Sequence, residues 1–406
     1  MKKTFKKLLL SFASVISVVS FFTSSAKAAG FQIAEQSAAN MGLANAGTTV
    51  DDNPSIQFYN PAAMAFMEHP VAGVSYIDII PHSDFRLLNA TNYAGTSIAG
   101  TSSTRTPSRS GLIPGFYYIY PVNPQFAFGI GAEVPFGLKT VYERDSAARY
   151  FALESGIQTI NLNPSIAIRP LQNFSLGFGI DVLYAKVRLE QALDGQSLFF
   201  PLPSNDIIVK NNVNDWGVGW NMGALWKPTP TTDIGFGYHS SINLNLRGDR
   251  EIEGLNALTQ IAAAGAGLYN ADLTSTLRLP DYGSLGFKQY IKPWWDVVGD
   301  ISYIHWSTIR TIQLNYSGTA APTIIPLNYR NTWRFSLGQD FQIFPIWKFR
   351  MGVAYDQSPI RSEFRDARLP DSDRIWLSVG SNFKLTRKID LDVGYTHAFF
   401  TRTSIN

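Results

Sequence analysis

Apolar and polar residues alternate strictly along this chain, in runs longer than a soluble strand needs. In 347–356, Trp347, Phe349, Met351, Val353 and Tyr355 share one face, and Lys348, Arg350, Gly352, Ala354 and Asp356 share the other. Residues 388–396 set Ile389, Leu391, Val393 and Tyr395 against Lys388, Asp390, Asp392, Gly394 and Thr396. Residues 174–182 set Phe174, Leu176, Phe178, Ile180 and Val182 against Ser175, Gly177, Gly179 and Asp181. Successive strand side chains point to opposite faces, so each run is a strand with one apolar and one polar side. A soluble sandwich alternates too, with its apolar face inward. The length and repetition of these runs predict the reverse, with lipid outside and a polar lumen inside.

Turn signals order the strands. Short breaks fall at Pro121–Pro124, Pro170–Asn173, Pro228–Asp233, Lys292-Pro293, Phe344-Pro345 and Thr386–Lys388. Long irregular stretches fall between them at 139–155, 191–212, 249–271, 313–328 and 359–373, with another at 86–109. Short turns alternating with long loops mark a transmembrane antiparallel β-barrel, all-β apart from its N-terminus. Thirteen strands are expected, starting near 71, 111, 125, 156, 174, 213, 233, 272, 294, 329, 347, 374 and 388. Bacterial single-chain barrels use an even number. The sequence ends on the polar Thr403-Ser404-Ile405-Asn406, so the expectation is a barrel over 71–406 that lacks its closing strand.

The first 28 residues have the parts of an export signal. Lys2, Lys3, Lys6 and Lys7 precede the apolar stretch Leu8 to Phe22, and Ala26-Lys27-Ala28 is a small-x-small cleavage site. The apolar stretch is short for a bilayer span. The formal charge of +3 includes five lysines in this segment, leaving −2 for the rest. That balance gives no electrostatic case for nucleic-acid binding. With no cysteine, disulfides, thiol nucleophiles and Cys-based metal sites are excluded. The remaining chain is exported, 13% aromatic, rich in glycine and only 16% charged. It carries no apolar run long enough for a membrane helix, which fits an outer-membrane barrel.

Residues 29–70 do not read as strand. They are small and polar, with helical stretches broken by turn signals at Gly42, Gly47, Asp52-Asn53-Pro54 and Asn60-Pro61. A segment of this kind ahead of a barrel is expected to fill it as a plug, making a gated conduit and not an open pore.

The start Ala29-Gly30-Phe31 and the triplet Asn60-Pro61-Ala62 resemble the FadL-type transporters of long-chain fatty acids and hydrocarbons. The resemblance covers nearly the whole chain after the signal. It is specific at the plug and rests on pattern alone in the barrel. It implies a fourteen-stranded barrel with an N-terminal hatch, and Asn406 would then fall in the last extracellular loop. It implies further that Phe31 reaches into a hydrophobic lumen pocket and that Asn60, Pro61 and Ala62 form the hatch motif. Finally, it implies that the third strand, 125–138 here, is kinked to open a side exit, with Gly129, Gly131 and Pro135-Phe136-Gly137 supplying the deformation.

The residues alone leave alternatives open. Burying a CH₂ gains about 0.8 kcal/mol, so a sixteen-carbon tail gains on the order of 10 kcal/mol in a dry pocket. A water-filled porin offers no such path, and release from a dry pocket needs a change of shape. Pro135 is either a wall defect or the end of a strand near the rim. Asn60-Pro61 by itself is an ordinary turn former, and Phe31 is equally a plug core residue. Leu198, Phe199, Phe200 and Leu202 in one loop, with Leu255, Leu258, Ile261 and Leu268 in the next, form either a capture groove or a lid. Arg334 and Arg350, with Lys348 and Lys384, face the lumen, either to meet a carboxylate or to pair with Asp340, Asp356, Asp390 and Asp392. Catalysis is not expected: His239-Ser240 is an adjacent Ser–His pair, but strand neighbours point apart. His69, His82, His305 and His397 lack metal-ligand spacing.

The expected function is passive uptake of long-chain fatty acids or similar hydrophobic compounds across the outer membrane of a Gram-negative bacterium. It would run through capture at the loops, a lumen pocket, plug rearrangement and lateral release. No cofactor is implied, and the expected partners are the hydrophobic ligand and membrane lipid around a monomer. A general porin is the nearer rival; a lipid hydrolase or an adhesin is more remote.

Overall fold

The computed structural model describes residues 30–80, 84–86, 103–105, 111–199 and 205–401. Residues 1–29, where the export signal is expected, lie outside them, as do Phe200, Leu202, most of the stretch 86–109 and the last residues. In chain order the strands are β1 (Val71–Ile79), β2 (Asp84–Arg86), β3 (Ser103–Arg105), β4 (Gly111–Asn123), β5 (Phe126–Glu133), β6 (Gly137–Val141) and β7 (Glu154–Leu171). Then come β8 (Phe174–Leu193), β9 (Ile207–Thr229), β10 (Thr232–His239), β11 (Ile242–Glu253), β12 (Ala271–Leu279) and β13 (Tyr282–Lys292). The last are β14 (Trp295–Ile304), β15 (Thr311–Tyr316), β16 (Thr323–Pro326), β17 (Thr332–Phe344), β18 (Trp347–Asp356), β19 (Arg374–Lys384) and β20 (Asp390–Phe400).

All but β2 and β3, which pair with each other, belong to one 18-stranded antiparallel sheet curled into a barrel. Four of the passes expected as single strands are split in two, between β5 and β6, β10 and β11, β12 and β13, and β14 and β15. The short β16 forms within 313–328, expected as loop, and makes up the rest of the difference from thirteen. Split halves pair with neighbouring passes on both sides of the break, as β10 and β11 both do with β9. Among the described residues β1 pairs only with β4, β20 pairs only with β19, and no ladder joins β1 to β20.

The alternation lies on the wall as expected. Along β7 the side chains of Ile160, Leu162, Ile166 and Ile168 are exposed outward, while Asn161, Asn163, Ser165 and Ala167 are buried inward. An outward apolar band over an inward polar lining is the arrangement of a barrel in lipid.

The plug fills the lumen with short helices: α1 (Ala38–Met41), α2 (Ile56–Tyr59) and a 3-10 helix over Pro61–Phe66. Ser37 caps α1 through the Asn40 N–H. Asn60 caps the 3-10 helix through the Ala62 N–H, and Pro61 opens it where no donor is needed. Its fit to the wall depends on glycine. A Cβ built on wall residues Gly73, Gly131, Gly177, Gly223, Gly237, Gly352 or Gly394 would come within 3.0 Å of Pro54, Gln57, Ala62, Asn60, Tyr59, Leu43 or Ala38, respectively. These glycines sit on strands all round the barrel; plug backbone lies flush against the wall at Gly177, Gly237, Gly352 and Gly394, and plug side chains do so at Gly73, Gly131 and Gly223.

Candidate functional site

The third wall pass breaks at Val134-Pro135-Phe136. On one side the break is a one-residue bulge, since Glu133 pairs with Asn161 and Gly137 with Gln158 of β7. On the other side the wall parts. β4 pairs with β5 from Phe116 to Asn123, but among the described residues Gly111–Gly115 pair only with β1, and β6 pairs only with β7. The strand therefore resumes beyond Pro135 rather than ending there, and a lateral gap lies between β4 and β6. Gly129 and Gly131 lie before the break in unbroken register with β4 and β7. Where a bend was expected of them, they instead make room for Met64 and Gln57 of the plug.

The backbone groups freed by the break find partners, as buried N–H and C=O groups must. The plug supplies most of them. Ile33 N–H donates to the Pro135 carbonyl at 2.9 Å, and Gly137 N–H donates to the Phe31 carbonyl at 2.8 Å. Gln36 imitates a strand edge: its Nε2 donates to the Val134 carbonyl at 2.9 Å, and its Oε1 accepts from Val134 N–H at 3.4 Å. The wall serves Phe136 through Thr159 Oγ1, which accepts its N–H and donates to its carbonyl. Gln32 and Phe136 thus form an antiparallel bridge, and the plug N-terminus stands in for a missing length of wall. One step earlier, Gly30 N–H donates to the buried Asp371 carboxylate at 2.9 Å, in the loop between β18 and β19. Burial pushes the Asp371 carboxyl up to about 7, against the opposing pull of Arg374.

Above this junction the lumen is apolar. Phe31 meets Trp306 edge-on at 4.8 Å and Phe136 at 5.9 Å. Around them cluster Ile157, Leu183, Leu244, Leu246, Leu277 and Tyr329, all buried. A cavity of about 140 Å³, lined by Leu189, Leu193, Val209, Arg250, Leu268, Leu314 and Ile325 among others, lies toward the long loops. A smaller one of about 20 Å³ shares Leu189, Asn211 and Leu314 with it and reaches Leu246 and Leu277 of the cluster.

Below the junction the lumen turns polar. Asp181 accepts from the side chains of Asn161 at 2.7 Å, Asn163 at 2.9 Å and Asn221 at 3.2 Å. His239 places one ring nitrogen 3.3 Å from Asp181 and the other 2.9 Å from the Phe58 carbonyl. Ser240 is directed elsewhere, accepting from Trp220 N–H at 2.9 Å and not engaging His239. Asn60 is fully buried and ties the plug together, its amide donating to the Thr49 carbonyl at 2.7 Å and the β9 carbonyl of Ala224 at 3.0 Å. The Ala62 carbonyl accepts from Ser175 of β8.

The remaining sequence-named residues divide. Arg350 is buried between Asp340, at 3.1 Å, and Asp392, so it is held by carboxylates of the wall rather than open to a ligand. Arg334 donates to the plug carbonyl of Ala44 and stacks over Trp376. In the loops, α3 (Gly195–Phe199) buries Phe199 against Ile207 and Ala263, while Leu198 stays exposed. Helix α4 (Ala257–Gly265) forms despite Gly265, because Asn256 and Thr259 make a capping box at its start. Leu258 and Ile261 project from it into solvent, and Leu255 packs on the Phe199 cluster. Lid and exposed apolar face therefore coexist. Arg250, which sequence reasoning passed over, lines the larger cavity; only its burial in three dimensions identifies it.

Comparison with known proteins agrees with this geometry. The family model described as "Outer membrane protein transport protein (OMPP1/FadL/TodX)" matches residues 19–406. "Outer membrane protein P1" of Haemophilus influenzae is 31% identical over 97% of this chain and 90% of its own. A "Long-chain fatty acid transport protein" of Escherichia coli is 28% identical over 97% and 92%. Among solved structures, a Pseudomonas aeruginosa FadL homologue superposes with a TM-score of 0.84 at 27% identity, covering 92% of each chain. The toluene transporter of Ralstonia pickettii shares the fold, with a TM-score of 0.68 at 18% identity over 91% of this chain and 93% of its own. The chain belongs to the FadL/TodX family of outer-membrane transport proteins, which are transporters and not enzymes.

Proposed function

We propose that the protein carries hydrophobic compounds of the long-chain fatty-acid or hydrocarbon class passively across the outer membrane, with release sideways through the gap between β4 and β6. One observation supports this above all: the plug N-terminus supplies the hydrogen bonds that the broken third pass lacks. Ligand that displaces Phe31 from its contacts with Trp306 and Phe136 pulls on the same backbone that covers the break. Pocket occupancy and wall opening are then one movement. The exposed apolar residues of α3 and α4 gather ligand, and the cavities beneath the loops lead it to the Phe31 cluster. A lateral exit keeps the tail out of water, whereas the polar floor around Asp181 opposes straight passage.

The test uses the absence of native cysteine. Gln32→Cys with Phe136→Cys places two thiols across an antiparallel bridge, where Cα atoms lie within reach of a disulfide. In a strain lacking its own transporter, uptake of radiolabelled fatty acid through the oxidised variant should fall to background and return on reduction. Uptake unchanged by oxidation would remove plug movement from the mechanism.

A further inference from the structure

The outer face of the wall changes character in a fixed order over β8, β9, β11 and β12. On β8 the outward side chains run Leu176, Phe178, Ile180, Val182 and Tyr184 before Lys186. On β9 Met222, Trp220, Val218 and Trp216 precede Asn214. Tyr184 lies opposite Trp216, their rings 5.1 Å apart. One outward pair nearer the long loops, Lys186 lies opposite Asn214, and Asn214 opposite Arg247 of β11. All three are exposed. Neighbouring strands are about 4.8 Å apart, which puts the two cations about 10 Å apart along the row. Arg278 of β12, also exposed, flanks them, its Nη2 donating to Ser241 Oγ at 2.9 Å. Among the described residues Lys186, Arg247 and Arg278 form no ion pair. In the next row toward the loops Arg188 is taken up by Glu154 and Glu190, while Asp249 and Asp272 face each other. From bilayer to water the order is therefore aromatic, cationic, acidic.

Tyr and Trp rings mark the headgroup level of a bilayer, and the long loops put this level at the extracellular end. A soluble anion gains nothing from the apolar face beneath the cations, and a neutral lipid leaves their charge unmatched. A ligand that uses both carries phosphate immediately above acyl chains. Two cations on one row suit two phosphates on one disaccharide, where a phospholipid brings one. We propose that β8, β9 and β11 form a docking site for the lipid A portion of lipopolysaccharide, the phosphorylated glycolipid of the outer leaflet. Its acyl chains lie along Ile180, Val182, Trp216 and Val218. One phosphate meets Lys186 and the other Arg247, whose planar fork matches it bidentately. Asn214 between them bonds the sugar. The site lies on the outside of the wall, so it does not depend on the plug, the cavities or the lateral gap.

The experiment measures lipid binding to the purified full-length protein in dodecyl maltoside by native mass spectrometry. The probes are bisphosphorylated lipid A, monophosphoryl lipid A, phosphatidylglycerol and inorganic phosphate. Wild type should bind the bisphosphorylated form roughly tenfold more tightly than the monophosphoryl form, the effect of one charge-assisted hydrogen bond. Lys186→Gln with Arg247→Gln should lower affinity for bisphosphorylated lipid A roughly tenfold or more and abolish that difference. Both positions are exposed, so the double variant should unfold at the wild-type temperature. Arg387→Gln, in the short turn at the opposite end of the barrel, should bind as wild type. Equal wild-type affinity for the two forms of lipid A overturns the proposal, as does a double variant that still tells them apart. Phosphatidylglycerol bound as tightly would mean a general anionic-lipid surface, and release of lipid A by millimolar inorganic phosphate would mean a simple anion site. Either result overturns the glycolipid assignment.

Discussion

The glycines of the wall show how little space separates plug from barrel. At Gly223 an added Cβ would strike the Asn60 amide, and at Gly177 it would meet the backbone of Pro61 and Ala62. Asn60 cannot move aside without losing its bonds to Thr49 and Ala224. Gly223→Val is therefore expected to cost about 1–3 kcal/mol by overpacking. It should also lift the hatch triplet from the wall, read as a lower unfolding temperature and new steady ion conductance in planar bilayers. Arg350 makes the opposite case, a residue fixed by what it neutralises. Arg350→Met leaves Asp340 buried without its cation and should cost about 3–5 kcal/mol in urea unfolding. An Asp340→Asn, Arg350→Met double variant should recover part of that loss.

The third pass holds the device that links plug to wall. Its Pro-Phe-Gly signal was legible, because proline has no N–H to give a ladder. The partners that repair the break were not, since Phe31, Ile33 and Gln36 lie about a hundred residues away and carry no strand-edge signature. Gly129 and Gly131 show the same limit: glycine in a strand reads equally as bend or close approach, and only the position of Gln57 and Met64 decides. Helix α4 was weakened on paper by Gly265, yet the Asn256–Thr259 capping box offsets that locally. Gln36 gives the element-scale prediction. Gln36→Leu leaves the Val134 N–H and carbonyl without their partner, a loss of about 1–3 kcal/mol per group. Hydrogen exchange at Ile33 and Gly137 should accelerate, while the amides of residues 62–66 keep their protection. Equal acceleration in both would mean the plug loosens as one body.

Over the whole molecule, the alternation gave the wall and its two ends, because a period of two survives in sequence whatever the tertiary contacts. It was silent on how the lumen is divided along its axis, with an apolar chamber above Phe136 and a polar, tightly filled floor below. These two halves should fail independently. The Gln32–Phe136 disulfide fixes the upper junction and leaves the floor as it is, so it should abolish hydrophobic uptake without changing ion conductance. Gly223→Val disturbs the floor and spares the contacts of Phe31, so it should admit ions without raising uptake of long-chain ligand. Combining the two should give a protein that leaks ions and transports nothing until reduced, measured by conductance and by labelled uptake in the same vesicles. If the leak also carried the hydrophobic ligand, water and ligand would share one path, and the lateral exit would be unnecessary.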